Sequence, residues 1–147
     1  MRPFKVSTDY PPNWEDLRAR FGVIWGRTAV TYGDTVYSAS PLTPDLKAHE
    51  AHHIEQQAAY PGGHEAWWKR YMEDETFRCA QELEAYQVQF QYIEECVRDR
   101  NVLHRHRDEL ARQLAGRMYG CMISYTEAYK LIGQRRALEE EPLGEQE

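Results

Sequence analysis

Five consecutive residues near the middle of the chain have the types and spacing of a metal site. His49-Glu50-Ala51-His52-His53 matches the pattern H-E-x-x-H, with His49 and His53 as the pair. On a helix, positions four apart lie about 40° apart on one face, so both imidazoles can reach one ion at about 2.0–2.1 Å. Glu50 then stands beside the ion, where a general base takes a proton from water. The pattern predicts His49 and His53 as zinc ligands and Glu50 as the catalytic base.

A catalytic zinc site also needs a third protein ligand and an open position. Glu82 and Glu84 are the candidates, and a helical wheel separates them. Glu82 falls at the edge of an apolar stripe and Glu84 faces away from it at about 100° per residue. The stripe consists of Cys79, Leu83, Tyr86, Phe90, Ile93 and Val97. A carboxylate on an apolar face is costly unless it is paired or bound to a metal. Glu82 is therefore the predicted third ligand, and a structural buried ion pair is the alternative.

The elements that must position these residues predict an α+β fold, with a small antiparallel sheet followed by a mostly helical body. Residues rich in β-branched and aromatic types predict strands at 4–7, 23–26, 28–32 and 35–38, with a hairpin turn at Gly33-Asp34. Thr43 and Pro44 are a helix start signal, and the first metal-site helix should end near Ala59. The other predicted helices are 13–20, one from about 64, 76–98, 102–114 and 118–132.

Composition limits the class of protein. The 147 residues suit one domain, expected at 1–134, and 41% hydrophobic residues argue against a disordered chain. The net charge of −6 argues against a nucleic-acid partner. Five glutamates lie within residues 139–147, so 135–147 is predicted to be a flexible acidic tail.

The cysteines and the apolar runs indicate a compartment. Cys79, Cys96 and Cys121 are an odd number at wide spacing, which fits a reducing environment better than a disulfide framework. No apolar run approaches the length of a membrane span, and no signal peptide is recognisable. These features predict a cytoplasmic protein that has no membrane partner.

The two motifs together resemble the gluzincin metallopeptidases. His49 to His53 is followed 29 residues later by Glu82-Leu83-Glu84-Ala85, similar to the downstream E-x-x-A helix of that group. The resemblance implies a zincin-like fold, Zn²⁺ bound by His49, His53 and Glu82, and a peptide or protein substrate. It covers about 40 of the 147 residues.

The chain also resembles small metallopeptidase-like proteins encoded in tailed-phage genomes and prophages. Those proteins combine an HExxH helix, a Trp-Trp segment and a Glu-x-Glu-Ala helix, matched by Trp67-Trp68 and by 82–85 here. This resemblance implies a location in the host cytoplasm or in association with a virion, and a protein partner in an assembly.

The chain departs from the gluzincin pattern in two ways. Many gluzincins have an Asp four residues after the third ligand to support a zinc-bound His, and Tyr86 stands there in this chain. Its hydroxyl is expected to accept a hydrogen bond from a His N–H instead. No motif marks an oxyanion donor. The tyrosine candidates are Tyr60, Tyr119, Tyr125 and Tyr129.

The predicted function is zinc-dependent hydrolysis of a peptide bond, with an extended peptide added to the sheet edge near 23–37. A non-catalytic zincin-like binding or structural protein is the alternative, and a fourth ligand such as Cys79 would favour it. A third hypothesis is a helical adaptor whose site region is filled by side chains. His52 is interpreted as a surface or supporting residue, and 104–107 as a solvated helix start. The oligomeric state stays open.

Overall fold

A computed structural model describes residues 3–23, 25–116, 119–120 and 123–134. Its described elements are three strands and six helices, so the α+β class is confirmed. In chain order they are β1 (Lys5–Ser7), α1 (Trp14–Phe21), β2 (Val30–Tyr32), β3 (Thr35–Tyr37), α2 (Pro44–Ala59), α3 (Gly63–Glu73), α4 (Glu75–Cys96), α5 (Arg100–Leu114) and α6 (Tyr125–Ile132). The predicted acidic tail and Cys121 lie outside the described residues.

The sheet is mixed rather than antiparallel, and its strand order is β1-β3-β2. The predicted hairpin is present, because β2 and β3 pair antiparallel with Thr31 opposite Val36. β1 pairs parallel with the other side of β3, with Val6 opposite Val36. The connection from β1 through α1 and back supplies the crossover that a parallel pair requires. The expectation of a purely antiparallel sheet was therefore wrong. A turn motif predicts the pairing of the two strands that it joins, and no turn motif joins β1 to β3.

The strand predicted at 23–26 is reduced to one isolated bridge between Trp25 and Thr28. Ile24 lies outside the described residues. Gly26 has a φ of 99°, in the left-handed region that favours glycine, so the chain turns here between the two bridge residues. The β-rich composition of this segment reflects packing of Val23 and Trp25 against an aromatic cluster.

The helices that form the site begin and end close to their predicted positions. α2 starts at Pro44, in the first helical turn, and stops at Ala59. α4 is capped by Asp74, whose side chain accepts a hydrogen bond from the Phe77 backbone N–H at 3.0 Å. A 16-residue helix and a 22-residue helix can therefore lie side by side with several turns in contact.

The last helix begins later than predicted. α6 starts at Tyr125, where the Ser124 hydroxyl accepts from the Glu127 N–H at 3.1 Å. Tyr119 lies in a short 3₁₀ turn and Gly120 has a φ of 82°, so the described part of 118–124 does not continue a helix. The predicted start at Met118 falls on a residue outside the described ones.

Two hydrophobic clusters flank α4. One joins α4 to α5 and α6 through Tyr86, Phe90, Ile93, Leu110, Leu114 and Ile132. The other is aromatic and joins α1, β2 and α3 to the start of α4 through Trp14, Leu17, Trp67, Trp68, Tyr71 and Phe77. Tyr86, Phe90 and Ile93 of the predicted stripe are buried, whereas Cys79, Leu83 and Val97 are half-buried. Glu82 lies on α4 between Tyr71 of one cluster and Tyr86 of the other.

None of the helices in the described ranges combines the length and apolar character needed to cross a bilayer.

Candidate metal centre

One face of α2 presents the three residues of the motif to the interior. His49, Glu50 and His53 are each 5% exposed. The two imidazole rings lie one turn apart with centroids separated by 4.9 Å, edge to face. This is the arrangement that a spacing of four residues on a helix produces. Histidine and glutamate side chains are rarely buried to this extent unless they have a partner, so each of these residues requires one.

α4 brings Glu82 to the same point. Glu82 Oε1 lies 3.3 Å from His49 Nε2 and 3.3 Å from His53 Nε2, and the carboxylate is 5% exposed. Glu84 points elsewhere, with 41% of its side chain exposed, and contacts His52 Nε2 at 3.1 Å. The helical wheel therefore selected the glutamate that meets the two histidines.

The geometry and chemistry of these three residues fit a metal ion. Their ligand atoms all lie within 4.8 Å of one another. Two bonds of about 2.0–2.1 Å at a tetrahedral angle span about 3.3 Å, the nitrogen-to-oxygen separation seen here. Two imidazoles and a carboxylate suit several transition metals, of which zinc is one. A cation would also balance the buried carboxylates, which are otherwise expensive.

Electrostatics at the site favour bound positive charge. Burial disfavours the ionised carboxyl, but the charge and hydrogen bonds of His53 and His49 outweigh this and hold the pKa of Glu82 well below its usual range. Burial also opposes charge on His53, yet Glu82 and then Glu50 raise its pKa to about 9. A metal ion at this site would therefore have to displace a proton from His53.

Tyr71 anchors the carboxylate from the other side. Its hydroxyl donates to Glu82 Oε2 at 2.7 Å, which leaves Oε1 directed at the histidines. Burial and the adjacent Glu82 carboxylate raise the pKa of the Tyr71 phenol well above its usual value, so it remains a donor. Nothing in the sequence distinguishes Tyr71 from an ordinary buried aromatic residue. Its spacing of 11 residues from Glu82, across a helix boundary, carries no local signal.

The second nitrogen of each histidine ring meets a glutamine. His49 Nδ1 lies 2.9 Å from Gln89 Oε1, and His53 Nδ1 lies 2.7 Å from Gln56 Oε1. Gln89 is seven residues after Glu82, two turns along the same face of α4, which is the signal that could have identified it.

Tyr86 does not take the supporting role expected for it. Its ring packs against His49 with centroids 4.7 Å apart and an interplanar angle of 70°. Its hydroxyl donates to Gln113 Oε1 at 3.1 Å and lies 3.2 Å from the Tyr119 hydroxyl. The expectation of a His N–H bonded to the Tyr86 oxygen was wrong because the ring, not the hydroxyl, faces the imidazole.

Glu50 is held by the sheet. Thr31 Oγ1 on β2 donates to Glu50 Oε1 at 2.7 Å. Glu50 is not a member of the three-residue metal group, yet it lines the cavity beside that group. Glu50 thus lies next to the three candidate ligands and outside their group.

A cavity of about 420 Å³ opens onto the three candidate ligands and Glu50. The segment Arg27 to Thr31 forms one wall. α5 contributes a second wall through His106, Glu109, Leu110 and Gln113. These positions follow i, i+3, i+4 and i+7 spacing, so they share one helix face. The sequence interpretation of 104–107 as a solvated helix start missed that His106 lies at this cavity.

Of the four tyrosines considered as oxyanion donors, Tyr119 lines the cavity. The hydroxyls of the others are engaged elsewhere: Tyr60 with Arg70, Tyr125 with Asp108 and Tyr129 with His104. Burial, then the Glu82 carboxylate, raise the pKa of Tyr119 well above its usual value, so its hydroxyl keeps its proton.

Cys79 does not belong to the metal group found among the described residues. It is half-buried, and burial raises the pKa of its thiol, which disfavours the thiolate that would bind a metal.

Comparison with known proteins identified no matching family model, no matching curated protein and no matching solved structure.

Proposed function

We propose that this protein is a zinc-dependent hydrolase that cleaves a peptide bond. The observation that carries the proposal is the buried group of His49, His53 and Glu82, open to a cavity, with Glu50 beside it and outside the ligand set. Catalytic zinc sites typically have three protein ligands and one open position, whereas structural sites are closed by four.

Each residue of the site has a role in this proposal. Bound zinc would lower the pKa of water and polarise a carbonyl oxygen. Glu50, oriented by the Thr31 hydroxyl, takes the proton of the attacking water and passes it to the leaving amine. Tyr119 stays protonated and lines the cavity, and its hydroxyl, which lies 3.2 Å from the Tyr86 hydroxyl, would turn from Tyr86 to donate to the developing oxyanion.

The substrate would lie along the wall from Arg27 to Val30. The carbonyl of Thr31 already accepts hydrogen bonds from Trp68 Nε1 at 3.0 Å and from Gln57 Nε2 at 2.8 Å. Peptide addition at that point of the strand edge is therefore blocked. The backbone immediately before it remains next to the cavity and supports binding of an extended chain.

The non-catalytic alternative is less well supported. A structural zinc site would need a fourth protein ligand, and the metal group among the described residues has three members. The adaptor hypothesis expects a site filled by side chains, whereas a cavity of about 420 Å³ lies there.

Metal analysis and turnover test the proposal together. We expect about one zinc per chain, and chelator-sensitive cleavage of members of a broad peptide library. Glu50→Gln should keep its zinc and lose cleavage. Glu55→Gln is the matched control, because it makes the same change on α2 at a residue that does not line the cavity.

The outcomes separate the hypotheses. A chain that takes up no zinc refutes the metal site and leaves the adaptor hypothesis. A chain that binds zinc tightly but cleaves no peptide, with Glu50→Gln indistinguishable from wild type, supports the non-catalytic alternative.

A further inference from the structure

We propose that two carboxylate–glutamine relays fix both zinc-facing histidines in the tautomer with hydrogen on Nδ1. The inference rests on the metal site of the proposed function and goes beyond it, because it assigns positioning roles to Gln56 and Gln89. A metal-bound imidazole needs its other nitrogen held by an acceptor. Here the acceptors are neutral amides, and each amide is itself oriented by groups that only accept.

The relay to His49 runs through α4 back to the start of α2. Gln89 Nε2 donates to Asp45 Oδ2 at 2.9 Å, and Gln89 Oε1 lies 2.9 Å from His49 Nδ1. An ionised carboxylate has no hydrogen to donate, so the amide nitrogen must face Asp45. The amide oxygen then faces the imidazole, and His49 Nδ1 must be the donor. The lone pair of His49 Nε2 would then be available to a metal ion bound between it and Glu82 Oε1, 3.3 Å away.

The relay to His53 has the same logic with different residues. Gln56 Nε2 donates to the Gln81 backbone oxygen at 3.0 Å and to Glu84 Oε1 at 3.1 Å. Both are acceptors, so both amide hydrogens are used and the orientation of the side chain is determined. Gln56 Oε1 then accepts from His53 Nδ1 at 2.7 Å. Glu84, which the wheel places away from the metal, contributes through this glutamine.

A neutral spacer suits the charge of the site. Glu82 and Glu50 are both buried at the cluster, and together they balance one divalent cation. A carboxylate bonded directly to either imidazole would add negative charge to a neutral buried group, which is unfavourable. A glutamine amide between them keeps the Asp45 and Glu84 carboxylates one hydrogen bond farther from the imidazoles. Each histidine Nδ1–H still has an oxygen to which it donates. This accounts for a glutamine where a carboxylate support is the commoner choice.

A double-mutant cycle on zinc affinity tests the His49 relay. The variants are Gln89→Leu, Asp45→Asn and the double variant, titrated with zinc against a chromogenic chelator. Gln89→Leu should weaken zinc binding about 10- to 100-fold. Asp45→Asn should weaken it about threefold to tenfold, because an asparagine can accept or donate and no longer enforces the amide orientation. Gln91→Leu, the same change two residues along α4 at a residue that does not line the cavity, should leave zinc affinity unchanged.

The coupling in the cycle is the deciding quantity. If Asp45 acts through Gln89, Asp45→Asn has no further effect once Gln89 is leucine. If Asp45 acts by its charge alone, or by capping α2, the two fold-changes multiply. Multiplying effects, or an unchanged zinc affinity for Gln89→Leu, would overturn the relay while leaving the hydrolase proposal standing.

Nitrogen-15 NMR of the histidine rings of the zinc-loaded protein gives a readout independent of affinity. We expect slowly exchanging Nδ1–H signals on both His49 and His53. Gln89→Leu should remove the protection of the first, and Gln56→Leu that of the second. Coordination through Nδ1 in the wild type would overturn the inference. Zinc uptake with protected Nδ1–H signals but no peptide cleavage would refute the hydrolase and keep the relays.

Discussion

Removing a single oxygen atom from Tyr71 should weaken both the fold and the proposed metal site. The Tyr71 ring stacks on Trp67 with centroids 5.0 Å apart and packs edge-on against Trp68 at 4.8 Å. Tyr71→Phe keeps this packing, so it isolates the hydroxyl. That hydroxyl donates to Glu82 Oε2 at 2.7 Å in a buried site.

The magnitude follows from the charge and the burial of the acceptor. Hydrogen bonds to charged groups contribute about 1.5–3 kcal/mol, and the buried Glu82 oxygen cannot recover its partner from water. For a domain of this length, that loss lowers the Tm of the metal-free protein by about 5–10 °C. Zinc affinity should fall about 10- to 100-fold, because Glu82 Oε1 is no longer held towards the histidines.

Urea unfolding of the metal-free protein and zinc titration measure the two effects. Tyr60→Phe is the matched control, because the Tyr60 hydroxyl meets only the exposed Arg70 guanidinium at 3.4 Å among the described groups. That variant should lose less than about 1 kcal/mol and keep its zinc affinity. If Tyr71→Phe matches Tyr60→Phe in both measurements, the assignment of Tyr71 as the anchor of Glu82 is refuted.

Three further perturbations have defined outcomes. The free energy of unfolding of the metal-free protein should fall as pH rises from about 6.5 to about 9. The raised pKa of His53 keeps a proton bound in the folded state that the unfolded chain releases in this range. A free energy of urea unfolding that stays constant over this range would contradict the prediction. Thr31→Val keeps the β-branched shape, so the variant should keep its zinc content. Its kcat should fall about 10- to 100-fold, because Glu50 loses the hydroxyl that orients it. An unchanged kcat would exclude an orienting role for Thr31. Gly133→Ala places a Cβ against the Arg107 guanidinium, which donates a hydrogen bond to the Tyr129 backbone oxygen in α6. The variant should lower the free energy of unfolding by about 1–3 kcal/mol, measured in thermal melts. Wild-type stability would show that the arginine side chain can move aside without cost.

The helices of the site were predictable because their signals are local. Thr43 and Pro44 mark the start of α2, and the Pro61-Gly62 pair follows its end. The start of α6 was not predicted correctly, because serine, threonine, aspartate and asparagine all cap helices and a single Ser124 is a weak signal beside a continuing helical pattern. All three strands of the sheet were predicted, but their pairing was predicted only for the hairpin. The parallel pairing of β1 depends on where α1 returns the chain, which no local motif reports.

The metal group itself was largely predictable from periodicity. Spacing alone aligns His49 with His53, and the apolar stripe on α4 distinguishes Glu82 from Glu84. The supporting residues were not predictable in the same way. Gln89 has a weak sequence signal, because it lies two helical turns after Glu82 on the same face of α4. Tyr71 lies on α3, and no helical period relates its position to that of Glu82.

The amino-acid sequence by itself determined that His49, Glu50 and His53 share one face of α2, because the 3.6-residue period of a helix fixes their relative directions. It also determined which glutamate of α4 faces inward, because burial follows the same period. Only the tertiary structure decided that Thr31 of the sheet would meet Glu50 and that Tyr119 would line the cavity. Those contacts join residues from different elements, and their distances depend on how the helices and the sheet pack rather than on any spacing along the chain.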